Sequence, residues 1–246
     1  MPAGSTSAWT IVSRGSGHPV RSGDRAYRGW VTGASSSSHR PYPGLSTGDG
    51  GSTPPAIASP IVNTFWVWLD TDYNALSPSD WISLGTWGNN TDWIVHTLSV
   101  RDRRLEFAHT VPFAGQYIGP QPMPTFPLRR WVRITAYIEY NGSIGNVRVW
   151  QDGVPMLRGD WTQRPGTTLR RAHWGLYANG AVRSANMYND DVSVWTLSER
   201  ITDFSREPRP PQTGCGGGYE GGVAATGACA MATGLRRRVR RSRAAA

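Results

Sequence analysis

Residues 131–140 read Trp-Val-Arg-Ile-Thr-Ala-Tyr-Ile-Glu-Tyr and decide the fold class. Polar and aromatic side chains alternate with apolar ones, so that one side carries Trp131, Arg133, Thr135, Tyr137 and Glu139. A period of two predicts a half-buried antiparallel strand and excludes a helix. The dipeptides at 141–142 (Asn-Gly) and 152–153 (Asp-Gly) follow this strand and the next one. Both dipeptides accept positive φ, which predicts two consecutive hairpins.

Similar strand-like patterns occur on both sides of this stretch. Short segments rich in β-branched and aromatic residues, separated by turn residues, occupy 65–70, 81–87, 93–100, 104–110, 146–151, 173–178 and 191–197. Shorter apolar pieces at 9–12 and 27–31 would form edge strands. No helical period persists for three turns. The sequence therefore predicts an all-β protein, a two-sheet antiparallel jelly-roll sandwich with a disordered C-terminal tail.

Composition supports this class. The 246 residues include 29 Gly, 18 Pro and 12 Trp, and charged residues make up 17% of the chain, against roughly 25% in an average globular protein. Such a mixture excludes a coiled coil, a helical bundle and a wholly disordered chain. An apolar run of about 18 residues, which an ordinary membrane span needs, is also missing from the sequence.

The net charge of +9 belongs mainly to the end of the chain. All 26 basic residues are arginine, and six of them lie at positions 236–243. Without these six, the positive excess of the body is small, so we expect no nucleic-acid partner. We divide the chain into a jelly-roll domain, residues 1–207, whose first 60 or so residues are loop-rich, and a low-complexity linker with an Arg-rich tail, residues 208–246.

The tail admits two interpretations. Its cysteines, Cys215 and Cys229, a Gly/Ala-rich segment at 221–235 and the terminal arginines resemble the cell-surface sorting tails of some Gram-negative bacteria. The alternative is a disordered low-complexity end. The first five residues show no secretory signal, so either the protein stays inside the cell or this start is not the native one. A secreted or cell-surface location is our expectation, with membrane contact only through the tail.

Residues 147–153, Val-Arg-Val-Trp-Gln-Asp-Gly, resemble a hairpin of the concanavalin A-like lectin/glucanase superfamily. The segments 175–177 and 188–192 extend this resemblance, which covers roughly residues 60–200. Within the superfamily, the chain is most similar to polysaccharide lyases of the alginate and heparin lyase type. Their motif Tyr-Phe-Lys-x-Gly-x-Tyr-x-Gln aligns with residues 171–179, Arg-Ala-His-Trp-Gly-Leu-Tyr-Ala-Asn.

The resemblance implies roles for individual residues. Tyr177 takes the place of the family's catalytic tyrosine, whereas His173 replaces a lysine and Asn179 replaces a glutamine. His96 matches the histidine of the family's Gln-x-His strand, although the glutamine is missing. For the arginine of the family's Arg-x-Glu strand, the candidate is Arg40. The implied activity is β-elimination on a polysaccharide that contains uronic acid.

β-Elimination removes the proton at C5, beside a carboxylate that must first be neutralised. A histidine or an ionised tyrosine takes this proton, and a tyrosine returns one to the leaving oxygen. We therefore expect Tyr177, His96 and His173 to be catalytic, and substrate to be bound by Arg133, Arg148, Tyr137 and Asn179. Structural interpretations stay open: Tyr177 as a packed or rim tyrosine, and His96 as a core histidine on the apolar face of its strand. The two arginines could be solvated side chains or could pair with Glu139.

The tryptophans support a second hypothesis, a lectin-like module without catalysis. Trp66 and Trp68 share one face of a strand, and Trp150 lies in the hairpin segment. Aromatic rings in a cleft stack on the apolar faces of sugars, so we count these three among the substrate-binding residues. A third hypothesis is a cell-surface adhesion or scaffold domain that recognises a protein. In each case we expect a monomer, and in the first two the partner is a polysaccharide.

Other chemistries have little support. Zinc, thiol-redox and nucleotide-binding patterns are missing from the sequence, as is the paired-acid signature of retaining glucanases. We therefore expect neither a cofactor nor a catalytic metal. Asp70, Asp72, Asp190 and Asp191 could hold a structural Ca²⁺ through oxygen ligands, or they could cap turns.

Overall fold

The computed structural model describes residues 6–46, 57, 59–88, 95–109, 115–118, 122–163 and 168–209. These residues form thirteen strands: β1 (Thr6–Ser13), β2 (Arg25–Thr32), β3 (Gly44–Ser46), β4 (Ile61–Thr71), β5 (Trp81–Gly88), β6 (Val95–Arg101), β7 (Arg104–His109), β8 (Gly115–Ile118), β9 (Trp131–Asn141), β10 (Ile144–Gln151), β11 (Val154–Thr162), β12 (Arg171–Ala178) and β13 (Ser184–Thr196). One short 3₁₀ helix, Tyr73–Ala75, lies between β4 and β5. No described helix has the length and apolar character needed to cross a membrane.

The strands form two antiparallel sheets packed face to face, which confirms the predicted sandwich. The eight-stranded sheet has the order β1-β2-β13-β4-β9-β10-β11-β8, and the five-stranded sheet has the order β3-β12-β5-β6-β7. The predicted tail, residues 208–246, lies outside the described residues from position 210 onward.

The two hairpins predicted from the Asn-Gly and Asp-Gly dipeptides are confirmed. β9 pairs with β10, and β10 pairs with β11, in both cases antiparallel. Asp152 and Gly153 both have positive φ, at 52° and 86°, which is the backbone of a tight two-residue turn whose twist matches that of the strands.

Two strands differ from the sequence prediction. β2 is not an edge strand, because it pairs with β1 on one side and with β13 on the other. β13 begins at Ser184, well before the predicted start at 191, and continues through an irregularity between Asp190 and Ser193. Asp191 has a φ of 47° at that irregularity. A bulge changes the alternation along a strand, so the two halves of β13 do not share one simple pattern.

The core fills the space between the sheets. β4 and β9 contribute Phe65, Val67, Leu69, Val132 and Ile134, all at 0% exposure. From the five-stranded sheet, the core receives Ile82, Leu84, Trp87, Leu98, Val100, Leu105, Phe107, Trp174 and Leu176. Alternate residues of each strand therefore point away from the core, onto two outer faces.

Residues 197–209 follow β13, and we call them the C-terminal strap. The strap lies across β9 and β10 on the outer face of the eight-stranded sheet. Its Leu197, Ile201 and Phe204 pack against a small second cluster of buried residues on that face, made of Val62, Tyr137, Trp150 and Trp195. The strap therefore covers part of one outer face with apolar contacts.

Candidate functional site

The outer face of the five-stranded sheet carries an open groove of about 380 Å³, formed across β12, β5, β6 and β7. Its lining consists of Trp81, Val95, Thr97, Ser99, Arg101, Glu106, Ala108 and Tyr177. Along β6, Thr97, Ser99 and Arg101 point outward and alternate with Leu98 and Val100 of the core, and Ser99 is 6% exposed. The period of two in the sequence thus places small hydroxyl side chains on the floor of the groove.

Two aromatic residues, Trp81 and Tyr177, line the groove from adjacent strands. Their rings meet edge to face, with the centroids 4.8 Å apart and an interplanar angle of 71°. The Arg40 guanidinium carbon lies 6.0 Å from the centre of the Tyr177 ring. Edge-to-face packing fixes the orientation of both rings. Because both side chains are only partly buried, they remain available to a ligand.

The segment before β3 packs against the outward side of β12. Tyr42 lies parallel to His173, with ring centroids 3.9 Å apart, and meets Tyr177 edge to face at 5.7 Å. Gly175, between the two β12 residues, has a φ of +106°. A Cβ at this position would lie 3.1 Å from both Pro43 and Tyr27 and 3.3 Å from the Tyr42 backbone. Glycine is therefore required for this segment to approach β12 so closely.

One ion pair lies at the other end of the groove. Arg101 Nη1 is 3.4 Å from Glu106 Oε1, and the two side chains are 45% and 39% exposed. An exposed ion pair of this kind stabilises the fold by less than about 1 kcal/mol. Both charged groups are therefore accessible to the polar groups of a ligand.

His173 shares the outward side of β12 with Tyr177 but is covered by Tyr42. Burial, with smaller contributions from the charges of Arg171 and Arg40, lowers the pKa of His173 to about 3. The imidazole is therefore neutral at physiological pH. Its Nδ1 has no hydrogen-bond partner among the described residues.

Asn179 follows β12 and contacts a turn rather than the groove. Its side-chain amide donates to Asp80 Oδ1 over 3.0 Å. Burial opposes ionisation of Asp80, but hydrogen bonds from Asn179 and Ser77 outweigh it and lower the pKa of this carboxyl. Asp80 immediately precedes Trp81, the first residue of β5. Asn179 therefore stabilises the turn that leads into the groove tryptophan.

His96 lies between the two sheets and does not reach the groove. Its side chain is 0% exposed, and Nδ1 is 2.9 Å from the Tyr140 hydroxyl. The ring also lies against Trp161, with centroids 4.1 Å apart. The structure therefore does not bring His96 together with Tyr177 and His173, and a polysaccharide in the groove would not contact it.

The predicted arginines and Tyr137 lie on the opposite side of the molecule, beside or beneath the strap. Arg133 forms an ion pair with Glu207, and Arg148 lies 4.4 Å from the centre of the Phe204 ring. The Tyr137 hydroxyl donates to Glu139 Oε2 over 3.0 Å, and burial is the main reason why its pKa is raised. These three residues therefore share no site with Tyr177.

The three predicted tryptophans also belong to the eight-stranded sheet. Trp150 is 1% exposed under the strap. The Arg21 guanidinium lies 3.7 Å above the Trp66 ring, and Trp68 meets Trp131 edge to face with centroids 6.0 Å apart. All three side chains are thus already packed, and none of them faces the groove.

The four aspartates considered for calcium hold other groups. Asp70 pairs with Arg129, Asp72 caps the 3₁₀ helix, and Asp190 and Asp191 bind the Arg21–Ser22 segment. In the part of the chain that the structure describes, no three His, Cys, Asp or Glu residues are grouped so as to hold a metal ion.

Sequence reasoning did not select Trp81, Arg101 and Glu106 as binding residues. The alternation of β6 and β7 contained the signal, because it puts Thr97, Ser99 and Arg101 on one side. Nothing in the sequence showed that Trp81 and Tyr177 would be neighbours. That contact depends on the pairing of β5 with β12.

Comparison with known proteins assigns no family. No protein-family profile matches the chain, and no curated protein matches it. Among solved structures, a functionally unknown protein from Saccharomyces cerevisiae is 11% identical, with a TM-score of 0.35, covering 76% of this chain and 96% of that one. The binding domain of Paraclostridial Mosquitocidal Protein 1 is also 11% identical, with a TM-score of 0.37, covering 76% of this chain and 42% of that one.

Proposed function

We propose that the protein binds polysaccharide chains, preferably acidic ones, in the groove on the outer face of the five-stranded sheet. The Trp81–Tyr177 pair carries this proposal, because two fixed and partly exposed rings flank an open trough of about 380 Å³. Aromatic faces stack on the apolar faces of sugars. The hydroxyls of Thr97 and Ser99 would bond to sugar hydroxyls along the floor.

The charges around the groove favour an acidic chain. Arg101 lies in the groove, with Glu106 as its partner, and Arg40 lies beside Tyr177. Two arginines against one glutamate give this surface a positive excess, which attracts carboxylates. An arginine fork also matches the planar geometry of a carboxylate. The preferred ligand is therefore a chain that contains uronic acid.

We also infer that the sandwich is a concanavalin A-like jelly roll acting at the cell surface or in the extracellular medium. The support is the resemblance of residues 147–153 and 171–179, together with the position of Tyr177 in a groove on the smaller sheet. A polysaccharide ligand agrees with such a location.

The binding proposal is tested by calorimetric titration of the full chain with polyuronate and with neutral dextran. Trp81→Ala should weaken polyuronate binding by at least about tenfold, because the variant removes the main stacking surface. Trp131→Ala is the matched control, since this tryptophan is partly buried on the outer face of the other sheet. Equal losses in both variants, or equal affinity for dextran and polyuronate, would contradict the proposal.

A second candidate is a uronate lyase in which Tyr177 alone carries out proton transfer. The observation that favours it is the position of Tyr177 in the groove with Arg40 beside its ring. The ionised phenol would take the C5 proton, the released electron pair would form the C4–C5 double bond, and the C4–O4 bond would break. The leaving oxygen would then receive the proton from the phenol.

The lyase is tested by following the unsaturated product at about 235 nm. Tyr177→Phe should lower turnover by about 10²-fold or more and leave binding nearly unchanged, because only one hydroxyl is lost. Unchanged turnover would remove Tyr177 from the mechanism. If the wild-type protein binds polyuronate without forming product, the binding function stands and the lyase is excluded for that polymer.

A further inference from the structure

A second cavity, of about 610 Å³, lies on the opposite side of the molecule from the groove. It is formed by β10, β11 and the C-terminal strap. Trp150 and Phe204 contribute aromatic atoms, Pro155 and Met156 contribute aliphatic ones, and Arg148 and Arg158 contribute charge. The volume lies in the range of pockets that take small organic molecules.

The two arginines of this cavity lie side by side on neighbouring strands. Arg148 on β10 is directly opposite Arg158 on β11 in the strand register. Like charges in directly opposed positions destabilise a pair of strands. Asp160 offsets part of this repulsion, since its Oδ1 is 3.7 Å from Arg148 Nη1, but its own side chain is 62% exposed.

Arg148 is the more constrained of the two arginines. Its Nη1 donates to the carbonyl oxygens of Val147 and Gly159, at 2.7 and 3.2 Å. Burial lowers the pKa of Arg148, Asp160 raises it, and Arg158 lowers it further. The charge of Arg148 is therefore only partly compensated by its neighbours.

Two buried donors of the cavity residues have no acceptor. Trp150 is 1% exposed, and neither its Nε1 nor Nε of Arg148 has a hydrogen-bond partner among the described residues. A buried donor without an acceptor destabilises the folded state. Unused donors, paired positive charges and aromatic surfaces thus occur together.

We propose that this cavity binds a small aromatic carboxylate. The ring of the ligand would contact Trp150 and Phe204, and the carboxylate would lie against Arg148 and Arg158. A single negative charge suits a mainly apolar cavity, because a more highly charged anion loses more hydration on entry. The carboxylate would separate the opposed arginines and accept charge-assisted hydrogen bonds from their guanidinium groups. This site is independent of the groove and of the proposed polysaccharide function.

Calorimetry on the full chain with 2-naphthoate tests the proposal, and the neutral 2-naphthamide is the matched probe. We expect the acid to bind at least about tenfold more tightly than the amide, because only the acid forms charge-assisted hydrogen bonds. Arg158→Gln, at an exposed position, should reduce the affinity for naphthoate by about tenfold and leave that for naphthamide unchanged. Arg183→Gln, an exposed arginine between β12 and β13, should change neither.

Two further variants localise the ligand. Phe204→Ala should weaken acid and amide to a similar extent, because it removes surface that both aromatic rings would contact. Trp81→Ala, in the groove, should leave naphthoate binding unchanged and so separates this site from the polysaccharide site. Equal affinity for the acid and the amide, no effect of Arg158→Gln, or no naphthoate binding at millimolar concentration would each overturn the proposal.

Discussion

The two outer faces of the sandwich display similar side chains but differ in what covers them. On the eight-stranded sheet, Tyr137 and Trp150 are 0% and 1% exposed beneath the C-terminal strap. On the five-stranded sheet, Trp81 and Tyr177 stay partly exposed beside an open groove. The same aromatic residue types are therefore covered by the strap on one face and partly open to solvent on the other.

This contrast teaches that an outward-pointing aromatic residue is not by itself a ligand-binding residue. Strand period determines the side of the sheet on which a side chain lies. Whether that side meets solvent depends on later parts of the chain, here residues 197–209. Variants on each face test the contrast between a covered face and an open one.

The largest effect is expected from Trp150→Ala on the covered face. The variant removes a side chain that is 1% exposed and leaves a cavity, so the free energy of unfolding should fall by about 3–5 kcal/mol. Denaturant unfolding measures this change. Trp81→Ala in the groove is the comparison, with an expected loss below about 2 kcal/mol, because its side chain is only partly buried. Equal losses would remove the difference between the faces.

His173 shows that part of the open face is also structural. Its pKa is near the usual 6.5 in the unfolded chain and about 3 in the folded protein, so below pH 6.5 the unfolded state binds more protons. Stability from this group is complete above pH 6.5 and is lost as the pH falls toward 3. Between pH 7 and pH 4.5 the loss should be about 2 kcal/mol.

Denaturant unfolding at a series of pH values checks this prediction. His173→Asn should flatten the dependence, since the group that titrates is removed. A His173→Asn protein with the wild-type pH dependence would contradict the neutral, buried state of this imidazole.

A smaller loss of stability is expected from removing an ion pair between the strap and the eight-stranded sheet. Arg200 Nε lies 2.5 Å from Glu139 Oε1, and the glutamate side chain is 4% exposed. Arg200→Ala would remove this partner of the buried Glu139 carboxylate, to which the Tyr137 hydroxyl also donates. The free energy of unfolding should therefore fall by about 1–2 kcal/mol. Arg206→Ala, an exposed position on the same strap, is the control for thermal and denaturant unfolding. Equal effects of the two variants would mean that the Glu139 contact adds no stability.

The smallest effect concerns the chain after the strap. Removal of residues 212–246 should change the melting temperature by no more than about 1 °C, because the sequence there has no core periodicity. Calorimetry of the full and shortened chains measures the difference. A large fall in melting temperature would show that the covering of this face extends beyond residue 209.

Much of the fold was predictable from local patterns. The alternation of residues 131–140 and the two turn dipeptides gave the β9-β10-β11 hairpins, since these depend on near neighbours in the chain. The start of β13 was not predictable in the same way, because a bulge interrupts its alternation.

The candidate site was predictable only in part. Periodicity placed His96 with the apolar residues of its strand, and the structure has it at 0% exposure beside Tyr140. The resemblance selected Tyr177, which does line a groove, but the arginines chosen to accompany it lie on the other outer face. No local pattern distinguishes two outward faces, because both consist of alternate strand residues with similar chemistry.

Local patterns in the sequence are sufficient for the all-β class, the tight hairpins and, in strands without a bulge, the side of the strand on which a residue lies. These properties follow from backbone geometry and from the alternation of polar and apolar side chains. The contact between Trp81 and Tyr177 and the covering of Trp150 by the strap depend on the way the strands are arranged in three dimensions. Contacts between strands distant in sequence depend on the order of the strands in the sheets, and alternation along a single strand contains no information about that order.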